Sequence, residues 1–320
     1  MNAKKRIYIA GCGGMLGEAV YRRFRSVAEV KATDIDLNEP WLEYADVRDY
    51  HQCWDSIKSF APDTIINLAA LTDLEGCEGD SENAWLTNAL GAENLGLIAE
   101  QLRVPYVYIS TAGIFGGEKD NYTDFDAPEP RSVYAKSKYY GELFVLRYVR
   151  KHFVLRAGWM MGGGPKKDKK FINKLYRQIK SGKDILHVVE DKSGTPTYTV
   201  DFAEGMARII ESGLYGLYNQ VCGGSGTRRD VAEEFVRCLG LEGKVRVEPV
   251  RSDFFAAEYF AHRPASERLV NLKLSARGLN VMRDWKTCLS EYSSVFSEDL
   301  RKASRNGQLA VTPLGERRQY

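Results

Sequence analysis

Two pairs of side chains in this sequence have the types and spacing to do chemistry. The run "VYISTAGIFGG" (107–117) is apolar until Ser110 and Thr111 put two hydroxyls where the hydrophobic pattern stops. Further on, "YAKSK" sets Tyr134 and Lys138 four residues apart, a spacing that brings both side chains to one face of a helix. A cation beside a phenol favours the phenolate and draws the tyrosine pKa down from its usual value of about 10. A hydroxyl to hold an oxygen, a phenol to pass it a proton and a lysine to tune the phenol form a set for a carbonyl and a hydride. Each piece alone is common, since Tyr and Lys on an exposed helix face are usually just a solvated pair.

The elements that must position these groups follow from the hydrophobic periodicity. Short β-rich runs at 6–11, 29–34, 64–70, 104–110 and 153–158 alternate with helical patterns at about 15–25, 49–59, 80–102 and 132–150. That alternation predicts an α/β fold, a doubly wound parallel sheet of the Rossmann type, with ligands collecting at the carboxyl ends of its strands. Ser110 and Thr111 stand at such an end. After residue 160 the regularity loosens. "GGGPKKDKK" (162–170) reads as a mobile basic loop, strands are expected at 184–190 and 216–221, and helices at 199–212, 227–239 and 284–302. The expected organisation is a nucleotide-binding domain over 1–160, a smaller mixed α/β substrate lobe over 161–300 with chain exchange between the two, and a tail over 301–320.

Ahead of the hydroxyls and the Y-x-x-x-K pair, "IAGCGGMLG" places Gly11, Gly14 and Gly17 between the first strand and the first helix, with Met15 and Leu16 among them. The first glycine suits a tight turn, the second a close approach of backbone to a pyrophosphate, and the third tight packing of helix on strand. Asp34 closes the next strand, where a carboxylate takes the ribose hydroxyls of an adenosine. Asp46 and Val47 offer a clamp for the adenine, and Leu68, Ala69 and Ala70 bring backbone close to the cofactor. The chain order of glycine loop, acid, hydroxyl-bearing strand end and Y-x-x-x-K points to NAD(H) or NADP(H). Asp34 has no Arg or Lys at 35–37 and opposes a 2′-phosphate, which slightly favours NAD(H).

Composition narrows the partners. The 320 residues carry a formal charge of +2, with 44% hydrophobic and 28% charged residues, which implies no general pull towards nucleic acid or membrane. Six cysteines form no C-x-x-C pair and there is no His cluster, so no metal is expected. The basic N-terminus runs straight into a glycine loop and no stretch reaches membrane-spanning length, so a cytoplasmic protein is expected.

Taken together these motifs resemble the extended short-chain dehydrogenase/reductases, and within them the reductases of dTDP-4-dehydrorhamnose and related nucleotide sugars. The resemblance covers about residues 5–290 and includes "PDTIINLAALTDLEGCE" (62–78), "RAGWMMGGG" (156–164), "DKSGTPTYTVDFAEGMARII" (191–210), "GLYNQV" (216–221) and "HRPASERL" (262–269). It implies that Thr111, Tyr134 and Lys138 are catalytic, and that Thr72, Trp159, Thr195 and Arg263 lie near a nucleotide-sugar substrate. A core position is open for Trp159 and a structural ion pair for Arg263. The implied activity is NAD(P)H-dependent reduction of a 4-keto deoxysugar; the partners expected are a nucleotide-sugar substrate and a second copy of the chain in a homodimer. An NAD-dependent epimerase and a non-catalytic NAD(P)-binding regulatory subunit share the scaffold. Two departures bear on the substrate: Ala112 where an aspartate is usual, and Glu267 where a small hydroxyl or amide residue is common. A methyl at Ala112 is expected to help shape the sugar site.

Overall fold

The computed structural model describes residues 4–305. Its first six strands are β1 (Arg6–Ala10), β2 (Glu29–Asp34), β3 (Leu42–Tyr44), β4 (Thr64–Asn67), β5 (Tyr106–Thr111) and β6 (His152–Ala157). With the strand Gly216–Asn219 they make one seven-stranded sheet, ordered Gly216–Asn219, β6, β5, β4, β1, β2, β3, with every pairing parallel. The expected doubly wound sheet is thus present, and it gains the short edge strand β3, whose three residues are too few to give a periodic signal.

Alternation along the strands divides two cores. Ile7 and Ile9 of β1 and Val107 of β5 face one apolar cluster, while Tyr8, Ala10, Tyr106 and Tyr108 face the other. Burial on both faces is what near-continuous apolar strands require. The chain turns outward from β1 to β2 and β3 on one side and to β4, β5 and β6 on the other. Such a reversal opens a crevice beyond the carboxyl ends of β1 and β4.

The helical stretch expected over 80–102 is broken. It runs as Ser81–Trp85, a π-helical turn Leu86–Leu90 and the helix Gly91–Leu102. The wide turn lets the buried Asn88 amide reach sideways: Nδ2 donates to the Leu71 carbonyl and the Ser137 hydroxyl, and Oδ1 accepts from the Leu71 N–H.

Beyond residue 160, "GGGPKKDKK" contains the short helix Gly164–Lys167 where a loop was expected. Lys167 is buried against the Trp41 ring and paired with Glu39, and the buried Asp168 carboxylate accepts from the Tyr292 hydroxyl and the Lys170 N–H. The helix Phe171–Lys180 that follows has no counterpart in the expected elements. Thr199–Ser212 packs back on Met15–Arg25, tied by Arg23 to Glu204 at 2.5 Å. The last helix, Trp285–Arg305, takes in the first residues of the expected tail, and 306–320 lie outside the described residues. Among the described residues no helix is long and apolar enough to cross a membrane.

Candidate active site

A cleft of about 1890 Å³ runs across the carboxyl ends of the sheet. At one end it meets the glycine loop, which turns from β1 into Met15–Arg25. Gly11 has φ +72°, and a Cβ there would stand 2.2 Å from the Ala69 nitrogen, while one at Gly17 would stand 2.0 Å from the Cys12 carbonyl oxygen. Both glycines are demanded by the fold. Gly14 is different. It caps the helix without a side-chain hydrogen bond, and an added Cβ would meet nothing closer than the Gly11 oxygen at 4.0 Å. The open N–H groups and the space over Gly14 suit a diphosphate, which a helix N-terminus attracts. Gly11, Gly14, Met15, Leu16 and Gly17 all line the cleft.

Asp34 stands beside this loop. Its Oδ2 accepts from the Gly13 N–H at 2.8 Å and its Oδ1 from the Asp36 N–H at 3.0 Å, so the carboxylate is fixed while each oxygen keeps a lone pair for a further donor. Asp46, Val47, Leu68, Ala69 and Ala70 continue the wall. The Asp46 carboxylate is held by Arg48, whose guanidinium keeps it below the usual carboxylate range. A dinucleotide fits this surface: the loop provides amide donors, Asp34 ribose acceptors and Val47 an apolar edge.

The candidate reacting centre lies at the end of β5. Thr111 Oγ1 accepts the Gly113 N–H at 3.1 Å, which leaves the hydroxyl proton free to be donated to the Tyr134 phenol. Tyr134 and Lys138 sit on Val133–Tyr148, which Ser132 caps by accepting from the Ala135 N–H. Three ties fix this helix, two of them to the sheet and one to the π-helical turn. The Tyr108 hydroxyl donates to the Lys138 carbonyl at 2.8 Å, Asn88 reaches Ser137, and the buried Glu142 carboxylate pairs with Arg156 of β6.

The electrostatics differ from the expectation that Lys138 would lower the Tyr134 pKa. Burial dominates both groups: it pushes the phenol up to about 12, with the Thr111 hydrogen bond opposing, and the Lys138 ammonium down to about 7, with Glu142 opposing. The Lys138 Nζ lies 4.3 Å over the Tyr108 ring and, among the described residues, has no hydrogen-bond partner. Ser110 Oγ is likewise buried without one. Both orphaned groups line the cleft, which is what a site waiting for polar ligand atoms presents.

The residues expected on the substrate side divide. Thr72, Trp159 and Arg263 line the cleft, but Arg263 is engaged by Glu75 through both guanidinium nitrogens at 2.7 and 2.8 Å, and Thr72 Oγ1 accepts from Lys170. Ala112 and Thr195 do not line it. Ala112 opens the 3₁₀ turn Ala112–Ile114, which rotates its methyl into an apolar cluster with Phe115, Tyr122 and Leu269. Thr195 is fully buried and accepts from the Leu269 N–H, a structural role. The residue after Thr111 that faces the cleft is Gly113.

Two side chains escaped the candidate set. Glu267 reaches the cleft from the two-residue strand Ser266–Glu267, and Arg228 from the first position of Arg228–Cys238. The departure from family pattern at Glu267 was a signal for the first, whereas nothing local marks Arg228.

Fold and site together define the class: a short-chain dehydrogenase/reductase of the extended type. Similarity to known proteins narrows it. The chain belongs to the family of the RmlD substrate binding domain, which it matches over residues 5–297. It is 29% identical to the dTDP-4-dehydrorhamnose reductase of Mycobacterium tuberculosis over 89% of this chain and 91% of that one. It is also similar to a solved dTDP-4-dehydrorhamnose reductase from Clostridium acetobutylicum, with TM-score 0.82, 32% identity and coverage of 91% and 99%. The corresponding structure from Bacillus anthracis, solved in complex with NADP, gives TM-score 0.82, 28% identity and the same 91% and 99% coverage.

Proposed function

We propose that this protein reduces the 4-keto group of a nucleotide-activated deoxysugar, with a nicotinamide dinucleotide as reductant. The observation that carries the proposal is the convergence of the Thr111 hydroxyl, the Tyr134 phenol and the Lys138 ammonium at the end of β5, in the same cleft as the uncapped helix and Asp34. When bound, the reduced nicotinamide supplies a hydride. The chain's own groups hold and protonate the oxygen. Thr111, whose oxygen accepts from the Gly113 N–H, turns its proton from the Tyr134 phenol to the carbonyl oxygen when substrate binds. Tyr134, kept protonated by burial, is the acid that converts the developing alkoxide to a hydroxyl. Lys138, poised near neutrality, is the proton reservoir behind the phenol and a donor to a ribose.

Asp34 supports a preference for NAD(H), because its carboxylate opposes a 2′-phosphate. The proposed division of labour puts the cofactor on residues 1–160 and the sugar nucleotide on 161–300. The unpaired cysteines agree with a reducing compartment such as the cytoplasm. A homodimer is supported by the exposed Leu97, Tyr140 and Tyr148 on Gly91–Leu102 and Val133–Tyr148, and light scattering tests it.

The chemistry is tested with Tyr134→Phe. Turnover of a dTDP-4-keto-6-deoxysugar should fall by roughly 100-fold or more, while dinucleotide affinity stays near wild type. Near-normal turnover in this variant would refute the assignment of the acid.

A further inference from the structure

The groups that act on the carbonyl oxygen do not account for a carboxylate standing beside them. Gly113 locates it: a Cβ on that residue would lie 3.4 Å from Glu267 Oε1, 3.5 Å from Thr111 Oγ1 and 3.9 Å from Tyr134 Cε1. The carboxylate oxygen, the hydroxyl and the phenol ring therefore surround one point on the cleft wall. Glu267 is held there by Trp159, whose indole Nε1–H donates to Oε2 at 2.6 Å. Among the described residues, Oε1 takes no hydrogen bond.

The support beneath this carboxylate is rigid. Glu267 pairs with Gly194 in register, and the Trp159 ring lies directly on Gly194, where a Cβ would stand 2.3 Å from Cε2. Arg228 closes the stack with its guanidinium 3.6 Å over the indole and 4.9 Å from the Phe171 ring. The site thus has an oriented acceptor with a spare lone pair, backed by a clamped aromatic ring. Such an acceptor is costly to leave unpaired once substrate excludes water.

We infer that Glu267 sets substrate specificity, its Oε1 accepting a hydrogen bond from a donor substituent on the ring carbon next to the reacting carbonyl. This rests on the reductase reading of the site. The class of substrate it selects is a 4-keto sugar bearing a hydroxyl or an ammonium at that carbon, in preference to one deoxygenated there. Placement favours the neighbouring carbon because Oε1 shares its surroundings with the two groups that hold the carbonyl oxygen. The carboxylate also couples recognition to chemistry. After burial and alongside Cys77, its charge is among the influences that keep the proton on Tyr134. A donor bound to Oε1 offsets part of that charge and eases proton release.

The test compares three dTDP-4-keto-6-deoxysugars, carrying a hydroxyl, an ammonium or only hydrogen on the carbon beside the carbonyl, in wild type, Glu267→Gln and Glu267→Ala. Wild type should favour the hydroxyl-bearing over the deoxygenated sugar by roughly 100-fold or more in kcat/KM, as expected of a site built to bond a hydroxyl. Glu267→Ala should bring that ratio to within about tenfold. Glu267→Gln, close to isosteric and therefore the safer variant for folding, should keep much of the hydroxyl preference and lose turnover of the ammonium-bearing sugar most. Thermal melting of each variant reports on folding separately. Wild-type turnover with ratios that neither substitution moves overturns the role of Glu267 and leaves the reductase reading standing. Absence of turnover of all three sugars by wild type overturns that reading, and this inference with it.

Discussion

Gly113→Ala separates the needs of the fold from those of the substrate. The backbone at Gly113 is not in the left-handed region, so alanine is tolerated there without strain. The new methyl would meet Glu267 Oε1 at 3.4 Å, Thr111 Oγ1 at 3.5 Å and Tyr134 Cε1 at 3.9 Å, all ordinary van der Waals contacts. Replacing glycine at a compatible position stabilises by about 0.4–1 kcal/mol through the unfolded chain, so the melting temperature should hold or rise slightly. Activity should behave otherwise, because the methyl occupies the point around which the three polar groups converge. Displacing a substrate by about 1 Å costs on the order of 100-fold, equivalent to about 2.7 kcal/mol in the barrier. The assay is kcat/KM on a dTDP-4-keto-6-deoxysugar beside a thermal melt. Wild-type kcat/KM in the variant would show that no substrate atom sits against Gly113. A collapsed melting temperature would show that the glycine serves packing instead.

Gly14→Ala should leave the melt unchanged and weaken dinucleotide binding at least tenfold, whereas Gly11→Ala, with its Cβ 2.2 Å from the Ala69 backbone, should impair folding itself; calorimetric titration and melting check the pair, and equal effects would contradict the cradle. Burial holds Lys138 at about 7 against 10.5 for the free side chain, so between those pH values the unfolded chain binds a proton that the folded chain does not. Stability of the ligand-free protein should therefore rise with pH across that window, and Lys138→Met should flatten the rise; identical slopes in denaturant melts would refute the shift. Asp34→Asn should narrow any preference for NADH over NADPH by roughly tenfold, read by titrating both cofactors, and an unchanged ratio would remove Asp34 from the ribose site.

The proposed cofactor end of the cleft was legible because its groups are local: glycines at the turn from β1 into the helix Met15–Arg25, and an acid at the next strand end. The proposed catalytic set was legible for a similar reason, since β5 delivers Thr111 and one helical turn separates Tyr134 from Lys138. What escaped depends on long-range placement. Glu267 enters on a two-residue strand whose partner, Gly194, is distant in sequence, and Arg228 reads locally as a surface residue of a capped helix. Ala112 was expected at the sugar because the reductases that the sequence resembles usually carry an aspartate there; the 3₁₀ turn instead rotates Ala112 into the core and turns Gly113 to the cleft. The π-helical turn at Leu86–Leu90 also leaves no periodic trace, because one wide turn shifts the register without changing which residues are apolar.

The central claim is net hydride transfer to a sugar carbonyl, and deuterium on the transferable position of the reduced nicotinamide follows that hydride directly. Incubated with a dTDP-4-keto-6-deoxysugar, the protein should oxidise the cofactor in step with product formation and leave deuterium on the carbon that was the carbonyl, as mass spectrometry and NMR of the product would show. A product formed without net cofactor oxidation and without deuterium at that carbon, or no product from any such sugar, would contradict it.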